Sequence, residues 1–307
     1  MSALKALMPG FEQKTVAVND ISINCVVAGD GPPLLLLHGH PQNLLVWRKV
    51  APALVEAGYR VIASDLRGYG DSSKPEGGEK HINYSKREMA ADQVGLMKHF
   101  GYQHFSVLGH DRGGRVAHRM ALDHPQAVQK IMVIDIAPTA TMYAKTDMEF
   151  ARRYFWWFFL IQPAPLPETM IGNDPEFFLR KHINSQLADT NTGHVSEAVI
   201  QEYLRCYNNP QMISAVCEDY RAASTIDLQH DAEDCNARVV APLLALWGEH
   251  GTVGKLYDVL ETWREKAVDV RGTALPCGHS VMEEQPDLFV TESLAFLRDT
   301  PKQDKHQ

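Results

Sequence analysis

The segment Val107-Leu108-Gly109-His110-Asp111-Arg112-Gly113-Gly114 joins an aliphatic run to a stretch of helical period, with glycines two residues to either side of an aspartate. A strand that turns sharply into a helix crowds its own backbone, so small residues must flank the turn and the central side chain is pushed out over the sheet edge. That is the shape of a nucleophile elbow, with Asp111 in the nucleophile's place. A carboxylate that displaces a leaving group from saturated carbon leaves an ester, which water can later hydrolyse; a serine would be left as an ether. The chemistry that follows is carbon–halogen cleavage or epoxide opening. The helix beginning beside Asp111 supplies N–H groups and a positive dipole end that favour its ionised form.

Hydrolysis of such an ester needs a base. His279, in Leu275-Pro276-Cys277-Gly278-His279-Ser280, lies between a strand-like stretch and a helix, in position to take a proton from water. A third residue, a carboxylate, must fix its tautomer. Asp135, which closes the run Ile131 to Ile134, competes for that place with Glu249, which follows Leu243 to Trp247; Asp135, one strand beyond the elbow, is favoured. Donors for the tetrahedral oxyanion are expected from the backbone of His40, in His38-Gly39-His40-Pro41, and of Arg112.

Arg112 and Arg115 bear on the substrate. They sit three apart in the first turn of the predicted helix, where each cation opposes the dipole and its neighbour at roughly 0.3 to 1 kcal/mol. Ordinary pairing with a carboxylate such as Asp65 or Asp135 would explain them structurally. The functional explanation is a two-guanidinium clamp on a substrate carboxylate, which would hold the adjacent carbon in line for attack. Ser64 to Ser72, rich in glycine and charge, reads as scaffold.

The elements needed to position these groups are legible. Alternation from Lys14 to Ala28 predicts two antiparallel strands around a turn at Asn19-Asp20, and aliphatic runs at Leu34 to Leu37, Arg60 to Ser64, Phe105 to Leu108, Lys130 to Ile134 and Leu243 to Trp247 predict strands covered on both faces. Helical period occupies Val46 to Glu56, Lys86 to Phe100, Gly114 to Asp123 and Pro286 to Leu297. Such alternation predicts an α/β architecture with a mostly parallel sheet. It stops after Asp135 and resumes near Val239, so residues 138–237 are expected to form an inserted helical cap between core segments 1–137 and 238–307. Within it, the aromatic cluster Tyr154 to Ile161 suits a buried helix that also walls a pocket. The tail Pro301 to Gln307 is expected to fray.

Composition narrows the partners. The 307 residues carry 30 Lys and Arg against 38 Asp and Glu, a net charge of −8 with no basic stripe, which argues against nucleic acid. No stretch approaches the roughly 18 apolar residues of a membrane span, and the first ten residues do not resemble a signal peptide. Five scattered cysteines without a CxxC pair suit reduced thiols and a cytoplasmic setting, and the histidines lack a metal-binding spacing. A small anionic molecule is the expected partner, with no metal and no cofactor.

Four segments, HGHPQ at His38, DLRGYGDS at Asp65, GHDRGGR at Gly109 and DYRA at Asp219, resemble the fluoroacetate and haloacetate dehalogenases of the α/β-hydrolase superfamily, over about Phe11 to Leu297. The resemblance implies an α/β-hydrolase fold, Asp111 as nucleophile, Arg112 and Arg115 as carboxylate binders, Asp135 as orienting acid, His279 as base, and a homodimer paired through the cap. It also implies a halide pocket of Trp157 and Tyr220, completed in the family by a histidine where this chain has Trp156. An indole N–H donates one hydrogen bond and carries no charge, so chloroacetate and bromoacetate are expected to outperform fluoroacetate. The family also has phenylalanine where this chain has His40, and the stretch Lys181 to His194 lacks an expected aromatic. An epoxide hydrolase shares the Asp/His/Asp machinery and is the nearest rival, with Tyr220 and either Tyr143 or Tyr154 as acids. A haloalkane dehalogenase would carry tryptophan at Arg112, and a non-catalytic receptor for small carboxylates would bind without releasing halide.

Overall fold

A computed structural model describes residues 3–188 and 193–299, so the tail from Pro301 lies outside it. Eight strands form one sheet: β1 (Glu12–Val18), β2 (Ile21–Ala28), β3 (Pro33–Leu37), β4 (Arg60–Ser64), β5 (Phe105–His110), β6 (Val128–Ile134), β7 (Leu243–Gly248) and β8 (Val270–Leu275). Their order is β1-β2-β4-β3-β5-β6-β7-β8, antiparallel at β1-β2 and β2-β4 and parallel elsewhere. The predicted hairpin is present, its turn carried by Asn19 at φ 48°, a left-handed conformation that asparagine tolerates. The aliphatic runs occupy the centre, with Leu34 to Leu37 and Ile131 to Ile134 at most 1% exposed.

Two boundaries differ from the sequence reading. The helix after the elbow starts at Arg112, not Gly114, because Gly113 takes a helical place packed against β3, where an added Cβ would lie 2.4 Å from the Leu37 carbonyl oxygen. The segment Val46 to Glu56 divides into a 3-10 turn, Leu44–Trp47, and a helix, Ala51–Glu56, which Pro52 enters in its first turn.

Between β6 and β7 the described residues form eight helices and no strand. This insertion fastens onto the start of the helix Lys86–His99 through buried polar contacts. The Lys86 ammonium pairs with Asp219, and the Lys86 backbone N–H donates to Asp227 at 2.8 Å. All five cysteines are free thiols, and among the described residues no helix is long and apolar enough to cross a membrane.

Candidate active site

Asp111 ends the β5 turn at φ 46°, ψ −114°, a strained conformation for a side chain with a Cβ, which costs about 1–3 kcal/mol and marks a position held by its surroundings. It is the N-cap of the helix Arg112–Asp123, beneath N–H groups that a helix leaves unpaired. The backbone N–H of His40 donates to Asp111 Oδ1 at 3.0 Å. Gly39 permits that approach, since a Cβ there would sit 2.4 Å from the Asp111 Cβ. Burial works against the ionised Asp111, but the charges of His279, Arg115 and Arg112 outweigh it and hold the carboxyl well below the usual range.

His279 lies over the ends of the strands with Nδ1 2.5 Å from Asp135 Oδ2. The other oxygen of Asp135 accepts from the Gly248 N–H at 2.9 Å, so β7 fixes the carboxylate. Glu249, the competing acid, faces solvent. Burial disfavours the His279 imidazolium; the hydrogen bond and charge of Asp135, followed by the charge of Asp111, overcome it and raise the pKa. His279 is further held by its own backbone N–H donating to the Gln186 carbonyl at 2.7 Å and by the His110 ring, tilted against it with centroids 4.5 Å apart.

The two arginines differ. Arg112 is fully buried and grips Asp219 in fork geometry, Nε to Oδ2 at 2.9 Å and Nη2 to Oδ1 at 2.7 Å. Its structural partner is therefore neither Asp65 nor Asp135 but the aspartate of DYRA, which also pairs with Lys86 and accepts from the Tyr69 hydroxyl at 2.6 Å. Tyr69 thus ties the segment read as scaffold to the site, while Asp65 does serve as scaffold by accepting from the N–H groups of Leu44 and Asp71. Arg115 has no carboxylate within ion-pairing distance among the described residues. It donates to the Ala137 carbonyl at 3.1 Å and Thr139 Oγ1 at 2.9 Å, and burial with the Arg112 charge lowers its pKa despite Asp111. Arg112 Nη1 and Arg115 Nε are buried without a hydrogen-bond partner. Two orphaned guanidinium donors beside the Asp111 carboxylate can seat a second carboxylate.

Aromatic rings close the space. Tyr220 lies under the Arg112 guanidinium at 4.2 Å and Trp157 under Arg115 at 4.7 Å. Trp156 lines a cavity of about 250 Å³ with His279, Tyr154, Gln186, Arg153 and Lys255. The His40 ring, assigned no task from sequence, is buried with Nε2 2.5 Å from the Tyr207 hydroxyl and Nδ1 3.4 Å from that of Tyr220. Burial, helped by Arg112, pushes it down to about 3, so it is neutral. Asp219, Lys86, Tyr69, Tyr207 and His182 are not site residues in the sequence reading, although Asp219 and Tyr69 lie in two of the motifs quoted there, DYRA and DLRGYGDS.

Residues 32–286 match the family model for the alpha/beta hydrolase fold. Over 293 residues, 95% of this chain and 96% of the relative, the sequence is 45% identical to a fluoroacetate dehalogenase of Burkholderia sp.. A soluble epoxide hydrolase of Corynebacterium sp. (strain C12) is 34% identical over 91% of this chain and 95% of its own. A crystal structure from Salmonella enterica, provisionally assigned as an acyltransferase, superposes with a TM-score of 0.93 at 58% identity, covering 95% of this chain and 96% of that one.

Proposed function

This chain belongs to the α/β-hydrolase family, and from that premise we propose that it is a hydrolytic dehalogenase of short 2-haloacids, converting a haloacetate to glycolate and halide. The observation that carries this reading is the pair of orphaned guanidinium donors, Arg112 Nη1 and Arg115 Nε, beside an ionised Asp111. A neutral substrate gains little from two cations, whereas a carboxylate accepts from both and brings its α carbon to the nucleophile.

With Oδ1 engaged by the His40 N–H, Asp111 Oδ2 is the free oxygen. It attacks the α carbon, the carbon–halogen bond breaks with its electron pair leaving on the halide, and an ester forms. The halide departs toward Trp156, Trp157 and Tyr220, all uncharged donors, which favours chloride and bromide over fluoride. Ester formation abolishes the Asp111 charge, one of the influences raising the His279 pKa. The imidazole therefore becomes a better-populated base when water must be deprotonated. His279 takes a proton as water oxygen adds to the Asp111 carbonyl carbon, the oxyanion is held by the N–H groups of His40 and Arg112, and collapse breaks the acyl carbon–Oδ2 bond, the departing oxygen taking a proton back from His279 as glycolate leaves. Asp135 keeps the His279 proton on Nδ1.

One observation favours an epoxide hydrolase as the second reading: the Tyr143 hydroxyl is buried without a partner, its ring 5.0 Å from Trp157, and with Tyr220 it could protonate an opened epoxide. Exposed apolar residues on the insertion, Met148, Phe155, Met170 and Phe177, support pairing of two copies through that face.

Purified enzyme given chloroacetate, bromoacetate, fluoroacetate and styrene oxide separates the readings by halide release against diol formation. His279→Asn should accumulate an ester as a mass increase on the peptide containing Asp111, and Asp111→Asn should be inactive. One turnover in heavy-oxygen water should label the protein; label in glycolate alone sinks the covalent route.

A further inference from the structure

The backbone of the base is tied at both ends, and to different parts of the fold. Its carbonyl lies 3.0 Å from His110 Nε2. A carbonyl oxygen only accepts, so the ring nitrogen is the donor, and this end is fastened to the residue preceding the nucleophile. The His279 N–H donates instead to the Gln186 carbonyl at 2.7 Å, at the end of the helix Pro175–Gln186 of the insertion. Gly278 allows that approach, since a Cβ there would lie 2.5 Å from the Ala188 nitrogen and 2.6 Å from the Gln186 carbonyl oxygen. The backbone of the insertion therefore rests directly on the loop that carries the base.

Glu284 joins the same two segments. Both of its carboxylate oxygens accept from the Gly278 N–H at 3.1 Å, and Oε2 also accepts from the Ala188 N–H at 2.9 Å. It closes the short helix Val281–Glu284 and is 8% exposed. No cation lies within ion-pairing distance of it among the described residues, whereas its neighbour Glu283 pairs with Arg48 and Lys49. Burying a carboxylate without a counter-cation is costly, and an uncharged residue of similar size would serve the fold as well. The charge also reaches the base. Burial is the largest influence on His279 and opposes its imidazolium; Asp135, Asp111 and then Glu284 favour it.

Resting on the dehalogenase reading, we propose that Glu284 is a positioning residue for ester hydrolysis, which bridges Gly278 to Ala188 and so docks the base loop against the insertion. It touches neither the substrate nor the reacting atoms and acts through His279. Attack by Asp111 Oδ2 on the α carbon requires no base, so ester formation depends on the nucleophile and the seat of the substrate. Removing a proton from water does require His279 in place, and a shift of about 1 Å in such a group can cost about 100-fold. The two chemical steps therefore respond differently to Glu284.

The test is a single turnover of chloroacetate by wild type, Glu284→Ala and Glu284→Gln, following chloride, glycolate and the mass of the peptide containing Asp111. Glu284→Ala should release its first chloride at a rate within about threefold of wild type, then form glycolate about 10- to 100-fold more slowly while the ester accumulates. Glu284→Gln, which keeps a carbonyl oxygen for one of the two N–H groups, should recover part of that loss. Gly278→Ala, which sets a Cβ against the insertion, should show the same split between the steps, and it carries the test should Glu284→Ala not fold. Chloride and glycolate slowing together, as a general loss of structure would produce, overturns the assignment, and so does glycolate formation that does not slow. Wild type that releases no chloride overturns the dehalogenase reading and this role with it, whereas normal wild-type turnover with an unmoved split overturns the role of Glu284 alone.

Discussion

Arg115→Met should cost the fold little and the enzyme much. In the folded chain Arg115 is a buried cation opposed by Arg112, with no carboxylate paired to it among the described residues. Confining a charge in that state costs about 3 kcal/mol, at the lower end of the range for breaking a buried pair. Methionine has a similar length and no charge; the exchange forfeits hydrogen bonds to the Ala137 carbonyl and Thr139 Oγ1, at about 1 kcal/mol each, together with a weaker one to Met142 Sδ and the cation–π contact with Trp157, about 1 kcal/mol more. Gain and loss nearly cancel, so stability should stay within about 1 kcal/mol of wild type, or Tm within about 2 °C for a chain of this size. Loss of a charge-assisted bond to the substrate carboxylate should raise KM for chloroacetate by about 10- to 100-fold. Differential scanning fluorimetry with and without glycolate measures both sides. Glycolate at about 100 times its Kd should add about 2.7 kcal/mol to wild type and much less to the variant. A variant that melts well below wild type, or whose kcat/KM stays within about threefold, would refute the idea that Arg115 is kept for an anion rather than for the fold.

Two further outcomes follow from the charges around the nucleophile. Where ester hydrolysis limits turnover, kcat should fall as pH drops, because His279 must be neutral to act as base; loss of the Asp111 charge in the ester places that inflection below the raised free-enzyme pKa, while Asp111 stays ionised far below that range. Asp135→Asn should move that inflection down and cut kcat by orders of magnitude, as a pH–rate profile would record. Asp219→Asn should leave Arg112 and Lys86 short of their shared partner, lowering stability by about 3–5 kcal/mol in a urea titration and raising KM more than it lowers kcat.

Local order was legible in the sequence because it is written in neighbouring residues. The glycines around Asp111 announce a strand-to-helix turn, the aliphatic runs announce strands buried on both faces, and Asn19 marks a turn that tolerates positive φ. Position along the chain also singled out His279 and Asp135, and motif resemblance added Trp157 and Tyr220 as expectations. The partner of Arg112 was not legible, since Asp219 lies 107 positions away and meets it only once the insertion packs on the sheet. The same holds for His40 and Tyr207, 167 positions apart.

The sequence by itself determined the α/β alternation, the elbow and the residue types able to form and hydrolyse an ester, because backbone sterics and hydrophobic period act over a few residues. Tertiary structure alone decided which arginine is paired with a carboxylate and which is not, and which histidine stands beside Trp156. Those outcomes depend on hydrogen bonds a few ångströms long between segments more than a hundred residues apart in Arg112–Asp219 and His40–Tyr207, and on ring packing between helices in Trp156–His182, distances that spacing along the chain does not encode.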